Sequence, residues 1–320
     1  MRGSIAVTLL LVTATGCDRG ARSGPTTSTT ATITPAATAP YPPDPLPTGP
    51  APIATSAVSC AVDPGFPSSF AIPEASGAAE VELTPGVREM LVISDSGHAG
   101  AVLLWKIPSG PARFLTLSLD ASASDDLEGS AWRDHHLFTL TSSGAVRRFS
   151  PDGKGGLARD GDAYPIGPQP YTCSSLTAGN CGKNYEGLCL RAPGDTARCV
   201  GYAASKKEGA LYCLVFRGEK LEIDALKPPL KLGLAKTALS DCAFGAAGGP
   251  AEKTLVVTTN IYGGSSSYVI DEATGVRTLL DVPALPTNEG IAVDKDGALY
   301  QFMDANNDVS LSSRMSCKGW

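Results

Sequence analysis

A short acidic phrase returns along the chain, as Glu128-Gly129-Ser130-Ala131, Glu186-Gly187-Leu188-Cys189 and Glu289-Gly290-Ile291-Ala292, each time leading into an apolar run. Carboxylates gathered in one place either share protons by raising one another's pKa or recruit a cation. Hard carboxylate and carbonyl oxygens suit Ca²⁺ or Mg²⁺ better than zinc. Other catalytic patterns are weak. Of the three histidines, His98, His135 and His136, the last two are adjacent and would point to opposite faces of a strand, so they read as solvated turn residues. Gly263-Gly-Ser-Ser-Ser-Tyr268 lacks the G-x-S-x-G pattern of a nucleophile elbow, and no dinucleotide or P-loop phosphate cradle occurs.

The elements that must position these carboxylates are short strands. Runs such as Met90–Ser94, Ala101–Trp105, His136–Leu140, Leu211–Phe216, Thr254–Thr258 and Ala298–Phe302 are separated by turn signals such as Asp152-Gly153, Gly263-Gly264 and Asp296-Gly297. With 35 glycines and 25 prolines in 320 residues, many turns and an all-β fold are expected. Set in register, the recurring phrase begins at Ser76, Glu128, Glu186, Asp241 and Glu289, at spacings of 52, 58, 55 and 48 residues. That period predicts a β-propeller of about five four-stranded antiparallel blades, or six if one interval hides a short blade. The last blade is short of a strand, which residues 60–73 would supply.

In such a ring the first strand of each blade lines the channel, and the antiparallel second strand returns to the same rim. Glu128, Glu186, Asp241 and Glu289 should therefore face one another, with Asp95, Asn260 and Asp304 in a second tier. The same residues could instead serve structure, a Glu before Gly accepting hydrogen bonds from the neighbouring blade's amides.

Compartment is read from the two ends of the cysteine count. Residues 1–16 have the layout of a secretory signal, Arg2 preceding the apolar run Ile5–Val12 and the small residues Ala14-Thr15-Gly16. Cys17 directly after them resembles the bacterial lipobox, so it would be lipidated and would anchor the chain to a membrane of the cell envelope without spanning it. Residues 17–58, rich in Thr, Pro and Ala, read as a disordered tether, and 59–320 as the propeller. Eight of the nine cysteines then remain: Cys60, Cys173, Cys181, Cys189, Cys199, Cys213, Cys242 and Cys317. An even number in an exported chain predicts disulfides, with Cys173–Cys181 inside one loop and Cys60–Cys317 joining the two ends of the folded region. No Cys-x-x-Cys pair favours a zinc site instead. The formal charge of −6 excludes the basic footprint that nucleic-acid binding needs.

Three stretches carry a family resemblance: Glu74–Ala79 with Ser94-Asp95-Ser96-Gly97, Asp126–Ala131, and Asn288-Glu-Gly-Ile-Ala-Val-Asp-Lys-Asp-Gly-Ala-Leu-Tyr300. Over about residues 70–310 the chain resembles the SdiA-regulated family of phytase-like β-propellers. The resemblance implies an envelope-associated propeller with a Ca²⁺ site at the acidic rim. The chain departs from it in its many cysteines and in Asp241-Cys242 where the phrase has Glu-Gly. The expected function is a membrane-tethered module binding a protein or small molecule, the alternative a metal-dependent hydrolase of phosphoesters or lactones.

Overall fold

A computed structural model describes residues 54–234, 238–261, 264–283, 286–303 and 309–320. The signal segment, Cys17, most of the tether and Asp304 lie outside the described residues. Described residues form strands and turns with no helix. After β1 (Ala54–Val62) and β2 (Ser69–Phe70), the chain makes a first sheet from β3 (Ala75–Thr84), β4 (Val87–Ser94), β5 (Ala101–Lys106) and β6 (Ala112–Thr116). A second follows from β7 (Leu127–Arg133), β8 (His136–Thr141), β9 (Ala145–Pro151) and β10 (Leu157–Arg159), with β11 (Tyr164–Pro165) folding back on β9. The third holds β12 (Tyr185–Leu190), β13 (Gly201–Ser205), β14 (Ala210–Arg217) and β15 (Lys220–Ile223), with β16 (Leu230–Lys231) on β14. Then come β17 (Leu239–Phe244), β18 (Leu255–Ile261), β19 (Gly264–Ile270) and β20 (Arg277–Asp281), and finally β21 (Asn288–Val293), β22 (Ala298–Met303) and β23 (Ser310–Lys318).

Each repeat is an antiparallel meander, and among the described residues the first strands touch in the closed cycle β3, β7, β12, β17, β21 and back to β3. This is a β-propeller. Its apolar side chains lie between neighbouring sheets: Leu91, Ile93 and Leu104 meet Leu137 and Phe149 between the first two, and Tyr300 and Phe302 meet Met90, Leu103 and Trp105 where the last sheet meets the first. Burying each such side chain contributes about 1.5–3 kcal/mol, so neighbouring sheets stabilise one another around the ring.

Closure comes from the N-terminal end. β1 pairs antiparallel with β23 through Ser59–Val62 and parallel with β20, and β2 pairs with the start of β23. The sequence placed this closing strand at residues 60–73; the structure moves its start back to Ala54, because Ala54 and Thr55 already pair in parallel with Thr278 and Leu279 of β20 before Ser59–Val62 reach β23. All eight cysteines of this region are paired, as Cys60–Cys317, Cys173–Cys181, Cys189–Cys242 and Cys199–Cys213. Four disulfides belong in an oxidising, extracytoplasmic compartment. No helix among the described residues is long and apolar enough to cross a membrane.

Cys60 and Cys317 are 257 residues apart, whereas Cys173 and Cys181 are separated by 8. On the chain-entropy account, opening the first should cost about 5 kcal/mol and opening the second about half that. Thermal denaturation of the two Cys→Ser double variants checks the order; an equal or inverted loss would show that ring closure does not depend on this bond.

Candidate metal centre

Every inner strand carries a bulge at the same place. The pairing register skips one residue between Ala75 and Gly77, Leu127 and Gly129, Tyr185 and Gly187, Leu239 and Asp241, and Asn288 and Gly290. A bulged residue is left out of the ladder and its side chain is re-aimed. The bulged set is therefore Ser76, Glu128, Glu186, Ser240 and Glu289. The structure shifts the fourth phrase by one residue from its sequence alignment, and Asp241 occupies the place of the glycines.

Those glycines explain why Glu is followed by Gly. A Cβ at Gly129 would lie 2.4 Å from the amide nitrogen of Leu188, and one at Gly187 would lie 2.5 Å from Oδ1 of Asp241. Neighbouring inner strands approach too closely for a side chain there. Asp241 uses the resulting space differently: wholly buried, it accepts hydrogen bonds from the backbone amides of Ile291 (2.8 Å) and Cys242 (2.7 Å). Burial raises its pKa well above the usual range, against the lowering effect of those amides. Asp241 thus links two inner strands.

Two of the expected carboxylates, Asp95 and Glu128, meet at one rim with a third, Asp126. Asp95, just past β4, and Asp126, just before β7, join Glu128 there, and one oxygen atom from each lies within 4.8 Å of the others. Each also has a donor on its own sheet or the next. Glu128 Oε2 accepts from the Ser76 hydroxyl at 2.8 Å, Asp126 Oδ2 from Ser142 and Asp95 Oδ1 from the Ser96 amide. The Cys173–Cys181 loop reinforces this corner, since the Asn180 amide donates to Ser142 Oγ and the Ser124 amide to the Leu176 carbonyl. Glu186 accepts from Asn184 Nδ2 (2.8 Å) and from Lys206 Nζ (2.7 Å), and Glu289 accepts from Asn260.

Electrostatics mark the group as crowded. Burial, then Asp126 and Glu289, pushes Asp95 up to about 7. Burial together with Glu186, Asp95 and Asp126 raises Glu128 well above its ordinary value. Burial lifts Glu186 to about 7 even though Lys206 opposes it. Lys206 itself would be lowered by burial, but Glu186, Glu289 and Glu128 raise it on balance, so it stays an ammonium.

Asp126 and Lys206 were not among the residues singled out from sequence. Lys206 was within reach, because it follows β13 just as Asp95 follows β4, and Ser142 stands at the same place after β8. His98 pairs with Glu74 at 2.7 Å, His135 lies in the β7–β8 turn, and His136 opens β8 opposite Arg133.

No family model and no curated protein matches the chain. Solved structures similar to it include the Myxococcus xanthus glutaminyl cyclase, at 16% identity and TM-score 0.44, covering 82% of this chain and 98% of that one. A protein of unknown function from Bacteroides thetaiotaomicron is 11% identical with TM-score 0.46, covering 82% and 76% of the two chains. A luciferin-regenerating enzyme is 9% identical with TM-score 0.44, covering 78% and 94%. At such identities and scores the architecture rests on the sheets themselves.

Asp95 and Glu186 have folded pKa values raised above the unfolded ones, so their contribution to stability is complete below about pH 4 and is lost as pH rises through about 7. Asp120 and Glu208, lowered to about 2, act with the opposite sign and only below that window. In chelator the melting temperature should fall between pH 4.5 and 7.5, and the fall should be shallower in Glu128→Gln. Identical slopes in the two proteins would mean that the rim carboxylates do not interact.

Proposed function

We propose that this protein is a β-propeller of the SdiA-regulated, phytase-like kind, tethered to a bacterial envelope membrane through Cys17, that binds a divalent cation of the calcium class at the acidic end of its channel. The cation completes a binding surface for a protein or small-molecule ligand. One observation carries the reading: Asp95, Asp126 and Glu128 converge within 4.8 Å, with Glu186 and Glu289 interacting electrostatically with them and Lys206 the ammonium paired to Glu186. The donors fit a hard cation. All are carboxylate oxygens, whereas the cysteines of the folded region are consumed in disulfides. Ser76, Ser142 and the Ser96 amide each hold one oxygen of a triad carboxylate, which orients the group toward a shared centre. Calorimetric titration with Ca²⁺ tests this. Asp126→Asn and Glu128→Gln should each weaken binding at least tenfold, while Glu252→Gln, in a distant turn, should not; equal affinities in all four proteins would refute the site.

Lys206 favours a second reading, a metal-dependent hydrolase of phosphoesters or lactones, because it supplies a cation beside the carboxylates that an anionic substrate would need. A bound metal would supply an activated water, and Lys206 would hold the developing negative charge. The two readings part at Lys206→Gln. If the ammonium is only an internal counter-ion, its removal should tighten Ca²⁺ binding several-fold. In a hydrolase, turnover of a chromogenic phosphoester or lactone should be measurable in the wild type and lost in the variant. Absence of turnover in the wild type together with tighter Ca²⁺ binding in Lys206→Gln would leave the binding reading alone.

A further inference from the structure

The Cys173–Cys181 disulfide stands apart from the other three. Cys189–Cys242 and Cys199–Cys213 are packed among apolar core side chains, each of these residues being no more than 3% exposed. Cys60–Cys317 closes the end of β23 beside the β21–β22 turn, where Ser316 pairs with Ala298, at the opposite end of that sheet from the rim. Cys173 and Cys181 instead both line an open cleft of about 410 Å³, and Cys181 is partly exposed. Lys183 and Lys207 line the same cleft against one carboxylate, Glu208, which leaves it electropositive. Thiol–disulfide exchange runs through a thiolate, the form that neighbouring ammonium groups favour.

The bond also lies between the supports of two rim carboxylates. On one side the Asn180 amide donates to Ser142 Oγ at 2.9 Å, and Ser142 donates to Asp126 Oδ2. Gly179 stands against the same carboxylate, since a Cβ there would lie 3.0 Å from Asp126 Oδ2. On the other side the Cys181 carbonyl accepts from the Asn184 amide at 2.9 Å, and Asn184 Nδ2 donates to Glu186 at 2.8 Å. Both cysteines lie between β11 and β12, outside every strand, so opening their bond breaks no ladder. It frees the loop that holds Ser142.

We propose that Cys173–Cys181 is a thiol-exchange site through which a dithiol reductant sets the cation affinity of the rim, a regulation that rests on the cation reading above. A thiolate of the reductant attacks Cys181 Sγ, on the more exposed residue of the pair, forming a mixed disulfide and releasing Cys173 as a thiolate. The second thiol of the reductant then attacks the reductant's own sulfur in that mixed disulfide and releases Cys181. The protein gains two electrons and two protons, and the reductant leaves as its disulfide. With the loop free, Asn180 and Gly179 no longer hold Ser142 and Asp126, and the carboxylate loses its fixed aim.

The test is calorimetric Ca²⁺ titration of the full chain before and after incubation with dithiothreitol, with iodoacetamide labelling and mass spectrometry to identify the cysteines that have opened. Opening Cys173–Cys181 in the folded protein should weaken Ca²⁺ about tenfold, the lower end of what losing an outer hydrogen-bond partner costs a metal site. The Cys173→Ser/Cys181→Ser double variant should bind as weakly and show no further response to dithiothreitol. Ser142→Ala, which cuts the connection while leaving the bond intact, should remove most of the response. By linkage, Ca²⁺ should shift the dithiol–disulfide equilibrium of this pair toward the disulfide by the same factor. Cysteines 173 and 181 that stay unlabelled until the protein unfolds would overturn the proposal. Equal Ca²⁺ affinity before and after opening would overturn it while leaving the cation site standing. No Ca²⁺ binding by the oxidised wild type would overturn both.

Discussion

The close approach of neighbouring inner strands is the constraint on which the rest of this molecule depends. At Gly129 the next strand's amide stands where a Cβ would have to be, and at Gly187 it is the Asp241 carboxylate that occupies that place. At Gly129 and Gly187 there is no room for a side chain between the strands, and at the next junction the Asp241 carboxylate itself fills that level. The residue just before stands outside the ladder as a bulge. Glu-Gly is one device made of two parts: the glycine brings the strands together and the glutamate is carried to the axis. The glutamates at the rim and their charge follow from repeating it.

Repetition also creates the difficulty that the site must solve. Carboxylates delivered by successive repeats are buried together, where water no longer screens them, and each makes its neighbours harder to ionise. The molecule answers in three ways within a few residues. Asp241 is withdrawn from the group and bonded to two backbone amides. Lys206 places an ammonium against Glu186. Hydroxyl and amide donors steady the carboxylates that remain. These devices lower the negative charge at the rim without cancelling it, and a bound cation would complete the balance.

Much of this was legible in the residues. Alternating apolar runs with glycine turns gave the all-β class, the spacing of the acidic phrase gave the repeat, and the positions of Cys60, Cys317, Cys173 and Cys181 gave two of the bonds that form. Register was harder. A bulge is a backbone event that depends on how far the partner strand has advanced, so the sequence could not say whether Ser240 or Asp241 is the bulged residue. Asp126 escaped notice for a similar reason: it lies ahead of the strand, two residues before Glu128, and its carboxylate is held there by Ser142, itself bonded to the Cys173–Cys181 loop. Lys206 carries a positive charge at a place where the pattern suggested acids, although its position after the second strand marks it as a rim residue.

The central claim is that the bulge at Glu128, with Asp126 just ahead of the same strand and Asp95 just past β4, aims three carboxylates at one shared point. A high-resolution crystal structure of the protein grown with Ca²⁺ tests it most directly. A single ion bounded by oxygens of these three residues at about 2.3–2.6 Å is the result that agrees with it. Carboxylates splayed from the axis, with the Lys206 ammonium at their centre and Ca²⁺ bound elsewhere, would contradict it.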